Sequence, residues 1–142
     1  MNNMEKDLNR FLEAQRSNYN IALEEIKNGR KINHWIWYIF PQIKGLGSSW
    51  YSQYYGIKDI DEAKDYLKHP ILGGRLKEIS NALLQLDQTD AKIIFGGLDA
   101  MKVKSCMTLF AEISDTEDNI FKNVIEKFYN GKFDHKTLNL IR

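Results

Sequence analysis

Six polar side chains stand close in sequence to glycine, proline or tryptophan, where a backbone or a ring can approach a ligand closely: His34, Gln42, His69, Arg75, Asp99 and Lys102. His34 and His69 carry the side chain most often used for acid–base work. With the Asp99 carboxylate they are the candidates for acid–base catalysis. Trp37, Gln42, Arg75, Lys102 and Lys104 are the candidates for ligand binding, a ring face and an amide among cations that would hold an anion.

Each candidate has a structural alternative. The run His34-Trp-Ile-Trp-Tyr-Ile-Phe-Pro-Gln42 reads as a core plug, because buried aromatics dominate core energetics. The sharper alternative is the aromatic wall of a pocket with His34 and Gln42 at its rim, and for most of these aromatics the plug is the default. His69, before Pro70, is either a helix-end residue bonding backbone or a titratable group. Arg75, Lys102 and Lys104 fall near helix N-termini, where a cation opposes the helix dipole at a cost of ~0.3–1 kcal/mol. An N-terminus approached through Gly96-Gly97 and flanked by lysine suits an anion, which would meet free N–H groups and a mobile charge. The alternative is a Lys102–Asp99 pair, or a lysine head in water. The expectation is that His34, Gln42, His69, Arg75, Asp99 and Lys102 converge on one pocket, with the helix after Asp99 aiming its N–H groups into it.

Other chemistries find no support. His34, His69 and His135 lack metal-ligand spacing, and the lone Cys106 offers neither a disulfide nor a paired-thiolate metal site, so no metal is expected. No serine-hydrolase elbow, phosphate-binding loop or dinucleotide fingerprint occurs, and no cofactor is implied. Cys106 falls on an apolar helix stripe and reads as core.

The elements that must position these residues are helical. Leu8, Phe11, Leu12, Tyr19, Leu23 and Ile26 recur at helical spacing and predict a helix over 5–28, with Ser17-Asn18 as a break point and Asn28-Gly29 as its stop. Residues 34–40 fit a strand or a short buried helix, ended by Pro41; Gly45 to Ser49 form a loop. Asp59-x-x-Glu62 is a capping box opening a helix over 59–67. Further helices are predicted over 74–87, over 99–113 with Asp99 as N-cap, over 117–129 from a Ser114-x-x-Glu117 box, and over 135–141 capped by Asp134. The fold expected is all-α, a single bundle of five to seven helices. Its core should include Leu12, Leu23, Leu76, Ile79, Leu83, Val103, Met107, Phe110, Val124 and Phe128.

Bulk properties narrow the partners. The chain has 142 residues, 43% hydrophobic and 27% charged, the scale of one ordinary globular domain. A net charge of +1 gives no global field toward nucleic acid or a membrane, so neither partner is expected and any anion recognition is local. The longest apolar run, Trp35 to Phe40, is far short of the ~20 residues of a membrane helix. The polar opening Met-Asn-Asn-Met-Glu-Lys-Asp lacks a signal-peptide core, and a cytoplasmic location is expected.

The residues His34 to Gln42, Gly45-Leu46-Gly47, Tyr55-Gly56-Ile57, His69-Pro70-Ile-Leu72-Gly73, Ile94-Phe95-Gly96 and Asp99 to Phe110 resemble domain-of-unknown-function family 1810 (DUF1810). The match runs from Asp7 to Leu140. It implies a compact all-α fold and no established activity. Two positions depart from the family pattern: Ser105-Cys106 stands where Ser-Ser is usual, and Gly74 where Pro is usual. A weaker likeness to NADAR-type N-glycosidases, which act on ADP-ribose-linked bases, rests on His69-Pro70-x-Leu72, Phe95-Gly96 and the Leu98 to Met107 helix. Those enzymes use an acidic residue in a Glu-His-Tyr motif, and Trp50-Tyr51-Ser52-Gln53 offers no carboxylate.

Two functions follow as expectations. One is a site for an anionic, nucleotide-like small molecule. The other is a helical module that binds a protein partner. A concave pocket favours the first and a flat apolar patch the second.

Overall fold

The helical periodicities resolve into ten helices among the described residues, packed around one apolar core. The structure, a computed structural model, describes residues 3–116 and 119–142, with side chains from Leu8 onward.

The first helical stretch is two helices, α1 (Asn3–Gln15) and α2 (Tyr19–Lys27). Between them the Asn18 amide donates to the Ala14 carbonyl at 2.9 Å, offering the backbone an alternative to helix continuation. α2 ends at Asn28, and Gly29 (φ 78°) adopts the left-handed turn that glycine permits. The ambiguous aromatic run is a single helical turn, α3 (Ile36–Ile39).

α4 (Trp50–Tyr54) was not predicted, because it buries no residue and so leaves no apolar stripe; Ser49 caps it, accepting from the Ser52 N–H. α5 (Ile60–Lys68) starts at the expected Asp59 cap, which accepts from the Glu62 N–H at 2.9 Å. α6 (Leu72–Leu84) follows through a corner where α5 and α6 nearly touch: a Cβ on Gly73 would lie 2.0 Å from the Leu67 carbonyl oxygen. The short α7 (Ala91–Phe95), capped by Asp90, was also missed.

α8 (Gly97–Ile113) begins two residues before Asp99, so Asp99 lies in its first turn and is not its cap; Gly96 (φ 81°) makes the break from α7. Ser114 closes α8 and does not open α9, its hydroxyl donating to the Phe110 carbonyl at 2.6 Å. Glu117, the other half of the expected capping box, lies outside the described residues. α9 (Ile120–Tyr129) is capped by Asn119, and α10 (His135–Ile141) by Asp134 as predicted. Ten helices replace the expected five to seven because one stretch is split and three elements are too short to show a period.

α8 is the central helix, packed against α3, α5, α7, α9 and α10. Leu76, Ile79, Leu83, Val103, Met107, Phe110 and Val124 are buried as expected. Leu12, Leu23 and Phe128 are only half-buried, at the edge of the core. Cys106 is fully buried, and burial pushes its thiol well above the ordinary value, which suits a core residue and not a nucleophile. No helix among the described residues is long and apolar enough to cross a membrane.

Candidate functional site

The aromatic run splits by position. Trp35, Ile36, Ile39 and Phe40 are buried and form the core plug, whereas Trp37 is half-buried and turns to a pocket of about 420 Å³. Four parts of the chain build that pocket: α3 with the following Gln42 and Ile43, the segment 46–56 that carries α4, one flank of α8, and the start of α10 with its cap Asp134.

A closed loop carries α4. The Ile57 N–H donates to the Gln42 carbonyl at 2.7 Å and the Lys44 N–H to the Ile57 carbonyl at 2.8 Å, a lone parallel bridge that brings the loop's two ends together. Arg10 of α1 anchors the far side, with Nε donating to the Tyr54 carbonyl at 2.7 Å and Nη2 to the Gly56 carbonyl at 3.0 Å. The same Nη2 pairs with the buried Glu62 at 2.9 Å. Tyr51 is thereby held nearly parallel to Trp37, the planes 13° apart and the centroids 6.2 Å apart.

The α8 wall comprises Leu98, Met101, Lys102 and Ser105, spaced i, i+3, i+4 and i+7 and therefore on one face. The helix, which starts two residues earlier than Asp99, offers this pocket one flank that runs from Leu98 to Ser105. Lys102 Nζ lies 4.5 Å from the centre of the Trp37 ring and 3.1 Å from Asp99 Oδ1. Asp99 also accepts from Lys31 at 2.8 Å, and Lys31 in turn stands over Trp35. Burial alone would raise the Asp99 carboxyl, but the hydrogen bonds and charges of Lys31 and Lys102 outweigh it and hold it below its ordinary value. Lys102 thus combines both sequence readings: it pairs with Asp99 and it lines the pocket.

Of the sequence candidates, Trp37, Gln42 and Lys102 line this pocket; His34, His69, Arg75, Asp99 and Lys104 do not, so the expected six-residue convergence is not what the fold makes. His34 is exposed at the end of the loop before α3. His69 closes the α5–α6 corner, its Nδ1 accepting from the Ile71 and Leu72 N–H groups at 3.2 Å. That capping role takes up the residue on which the N-glycosidase likeness in part rests. Arg75 reaches α1 and α2, with Nη1 donating to Gln15 Oε1 at 3.3 Å and the guanidinium over the Tyr19 ring. Asp99 is outside the lining and acts as the counter-ion of Lys102.

Sequence reasoning missed Ser105, Asp134, Lys136, Tyr51 and Tyr55, all of which line the pocket. The available signal was on α8 itself: Leu98 and Met101, 77% and 66% exposed, flank Lys102 on a face that the core stripe does not use. No histidine lines the pocket, and among the described residues no group of three His, Cys, Asp or Glu is placed to hold a metal ion. The arrangement can stack a ring against Trp37 and Tyr51, hold an anion with Lys102 and Lys136, and offer hydroxyl and carboxylate partners from Ser105 and Asp134.

An all-α protein with an aromatic and basic pocket walled by a helix flank is the class that this fold and geometry define. The chain belongs to the DUF1810 family, described as "Protein of unknown function", whose profile matches residues 5–141. It is similar to the crystal structure of a conserved hypothetical protein from Mycobacterium tuberculosis, with 41% identity and a TM-score of 0.92 over 95% of this chain and 96% of that one. No curated protein matches the chain.

Proposed function

We propose that this pocket binds a small anionic molecule that carries a planar ring, a nucleotide-like ligand. The supporting observation is the placement of Lys102 over the Trp37 face inside a cavity of about 420 Å³, a size suited to small molecules. A ring arriving at Trp37 and Tyr51 would bring its anion to a lysine already tethered there by Asp99. Desolvation beside two aromatic walls strengthens that charge–charge contact relative to water. Two lysines face one aspartate in the lining, so the local field favours an anion although the whole chain carries only +1.

A thermal-shift and calorimetric titration with AMP, GMP, CMP and UMP tests this. A ligand present at 100 times its Kd adds ~2.7 kcal/mol, a shift of roughly 5–10 °C for a chain of this length. Lys102→Ala and Trp37→Ala should each weaken binding at least tenfold while the apo protein keeps its helical content. Failure of all four nucleotides to shift or bind at millimolar concentration would overturn the proposal.

The second reading, a protein-interaction module, draws on one observation. Trp50, Tyr51, Tyr54, Leu98 and Met101 are exposed, Trp50 stacking on Tyr54 with centroids 4.7 Å apart. Large apolar side chains gathered at one rim are a feature of docking surfaces. The titration separates the two readings, since a docking face gives no nucleotide response and none that depends on Lys102.

A further inference from the structure

Asp134 is held more firmly than a helix cap requires. Its Oδ2 accepts the Thr137 N–H at 3.0 Å, which is the capping bond of α10. The same oxygen accepts the Thr137 hydroxyl at 2.6 Å and lies 3.1 Å from the hydroxyl of Ser105, a buried residue on the pocket flank of α8 that shares its one proton between this oxygen and the Met101 carbonyl, also at 3.1 Å. The Asp134 N–H donates to Thr108 Oγ1 at 2.9 Å, fixing its backbone to α8 as well. All three side-chain bonds fall on one oxygen. The other, Oδ1, accepts no hydrogen bond from the described residues, although a carboxylate has about four acceptor sites. Asp134 borders the pocket, across a cavity that also carries Lys102 and Lys136.

We propose that Asp134 is the specificity-determining residue of this pocket, reading hydroxyl donors, so that the ligand class is a nucleoside phosphate bearing a free sugar diol. The inference rests on the nucleotide-like reading above and adds to it. A carboxylate with one oxygen braced and one open repels an anionic group and demands a donor. The phosphate therefore goes to the lysines, and a group rich in O–H donors goes to Asp134. A nucleoside phosphate with a free sugar diol carries all three groups in one molecule, a ring, two such donors and an anion, and this lining holds an aromatic pair, Asp134 and two lysines to meet them. Bracing by Ser105 and Thr137 fixes the carboxylate before the ligand arrives, so little conformational freedom is lost on binding. A ligand lacking the diol would leave Oδ1 desolvated and unpaired, which makes the discrimination one of rejection as much as of attraction.

The test compares AMP with 2′,3′-dideoxy-AMP by isothermal titration on the wild-type protein and on Asp134→Ser. Serine keeps an acceptor for the α10 cap but removes the open carboxylate oxygen. Wild type should bind AMP roughly ten- to a hundredfold more tightly than the dideoxy compound, the span expected for hydrogen bonds to a charged group. Asp134→Ser should bring the two within about threefold of each other, chiefly through weaker AMP binding. Ser105→Ala, which removes a brace and leaves the carboxylate, should narrow the preference without abolishing it. Equal wild-type affinities would overturn the diol reading while leaving the nucleotide pocket intact, and this arm needs no variant to fold. A preference undiminished in Asp134→Ser would also overturn it, because the hydroxyls would then be read elsewhere. If neither compound binds, and GMP, CMP and UMP do not either, both proposals fall together.

Discussion

Replacing Glu25 with glutamine tests how the fold delivers its pocket wall. Glu25 lies in α2, 7% exposed, and gathers the chain that leads into α3. Its Oε1 accepts from the Ile32 N–H at 2.6 Å, the Asn33 N–H at 2.9 Å and the Trp35 indole at 2.9 Å, while Oε2 accepts from the Asn33 amide. Burial works to raise this carboxyl, but the backbone and side-chain donors outweigh it and hold it down at about 2. Against the ordinary value of 4.5, that depression corresponds to about 3 kcal/mol of stability at neutral pH. Because the folded value is the lower one, this stability is present above the unfolded value and is lost as pH falls from about 4.5 toward 2. Near pH 3 about 2 kcal/mol of it has gone. Glutamine keeps one acceptor and turns an NH2 toward the Asn33 amide, donor against donor. Urea denaturation should therefore show Glu25→Gln about 3 kcal/mol less stable at pH 7, with the gap to wild type closing to about 1 kcal/mol near pH 3. A gap that stays constant between the two pH values would refute the reasoning, because the loss would then owe nothing to the carboxylate charge. The variant should also loosen Lys31, whose N–H donates to the Ile94 carbonyl at 2.7 Å and whose ammonium holds Asp99 beside Lys102.

Two further predictions concern adjacent parts of the same corner. Gly73→Ala sets a Cβ 2.0 Å from the Leu67 carbonyl and should cost more than 2 kcal/mol of unfolding free energy, whereas Gly74→Ala, with nothing within 4 Å of its Cβ, should stabilise by about 0.5–1 kcal/mol; equal effects would mean that α5 and α6 do not meet there. His69→Ala removes the Nδ1 acceptor of two N–H groups and should lower stability by about 0.5–2 kcal/mol, as other lost N-caps do, while leaving nucleotide affinity unchanged; a large affinity loss would return His69 to the site.

What the sequence made legible follows from where apolar area is buried. α6, α8 and α9 bury enough side chains for a 3.6-residue period to stand out, and the stop at Gly29 needs the positive φ that it shows, 78°. α4 has no buried residue, and α3 and α7 span little more than a turn, so no period exists for them to display. The site was half legible for the same reason. Trp37, Gln42 and Lys102 stood out by residue type, but types cannot say which polar groups are already partnered. His69 and Arg75 look functional in sequence, yet in the fold one caps a helix and the other joins α6 to α1 and α2.

Partner identity also reverses the apparent ranking of the acids. Asp99, the carboxylate that the sequence put forward, has both oxygens engaged, one by Lys31 and one by Lys102, and so its contribution is to place a cation. Asp134, read from the sequence only as a cap, lines the pocket with one oxygen committed and the other accepting no hydrogen bond from the described residues. A cap prediction needs four consecutive residues, whereas the Ser105 contact that turns the cap toward the pocket spans 29 positions and two helices. Long-range pairing of that kind decides which side chains remain available to a ligand. Here it moves the acidic part of the site from the start of α8 to the start of α10.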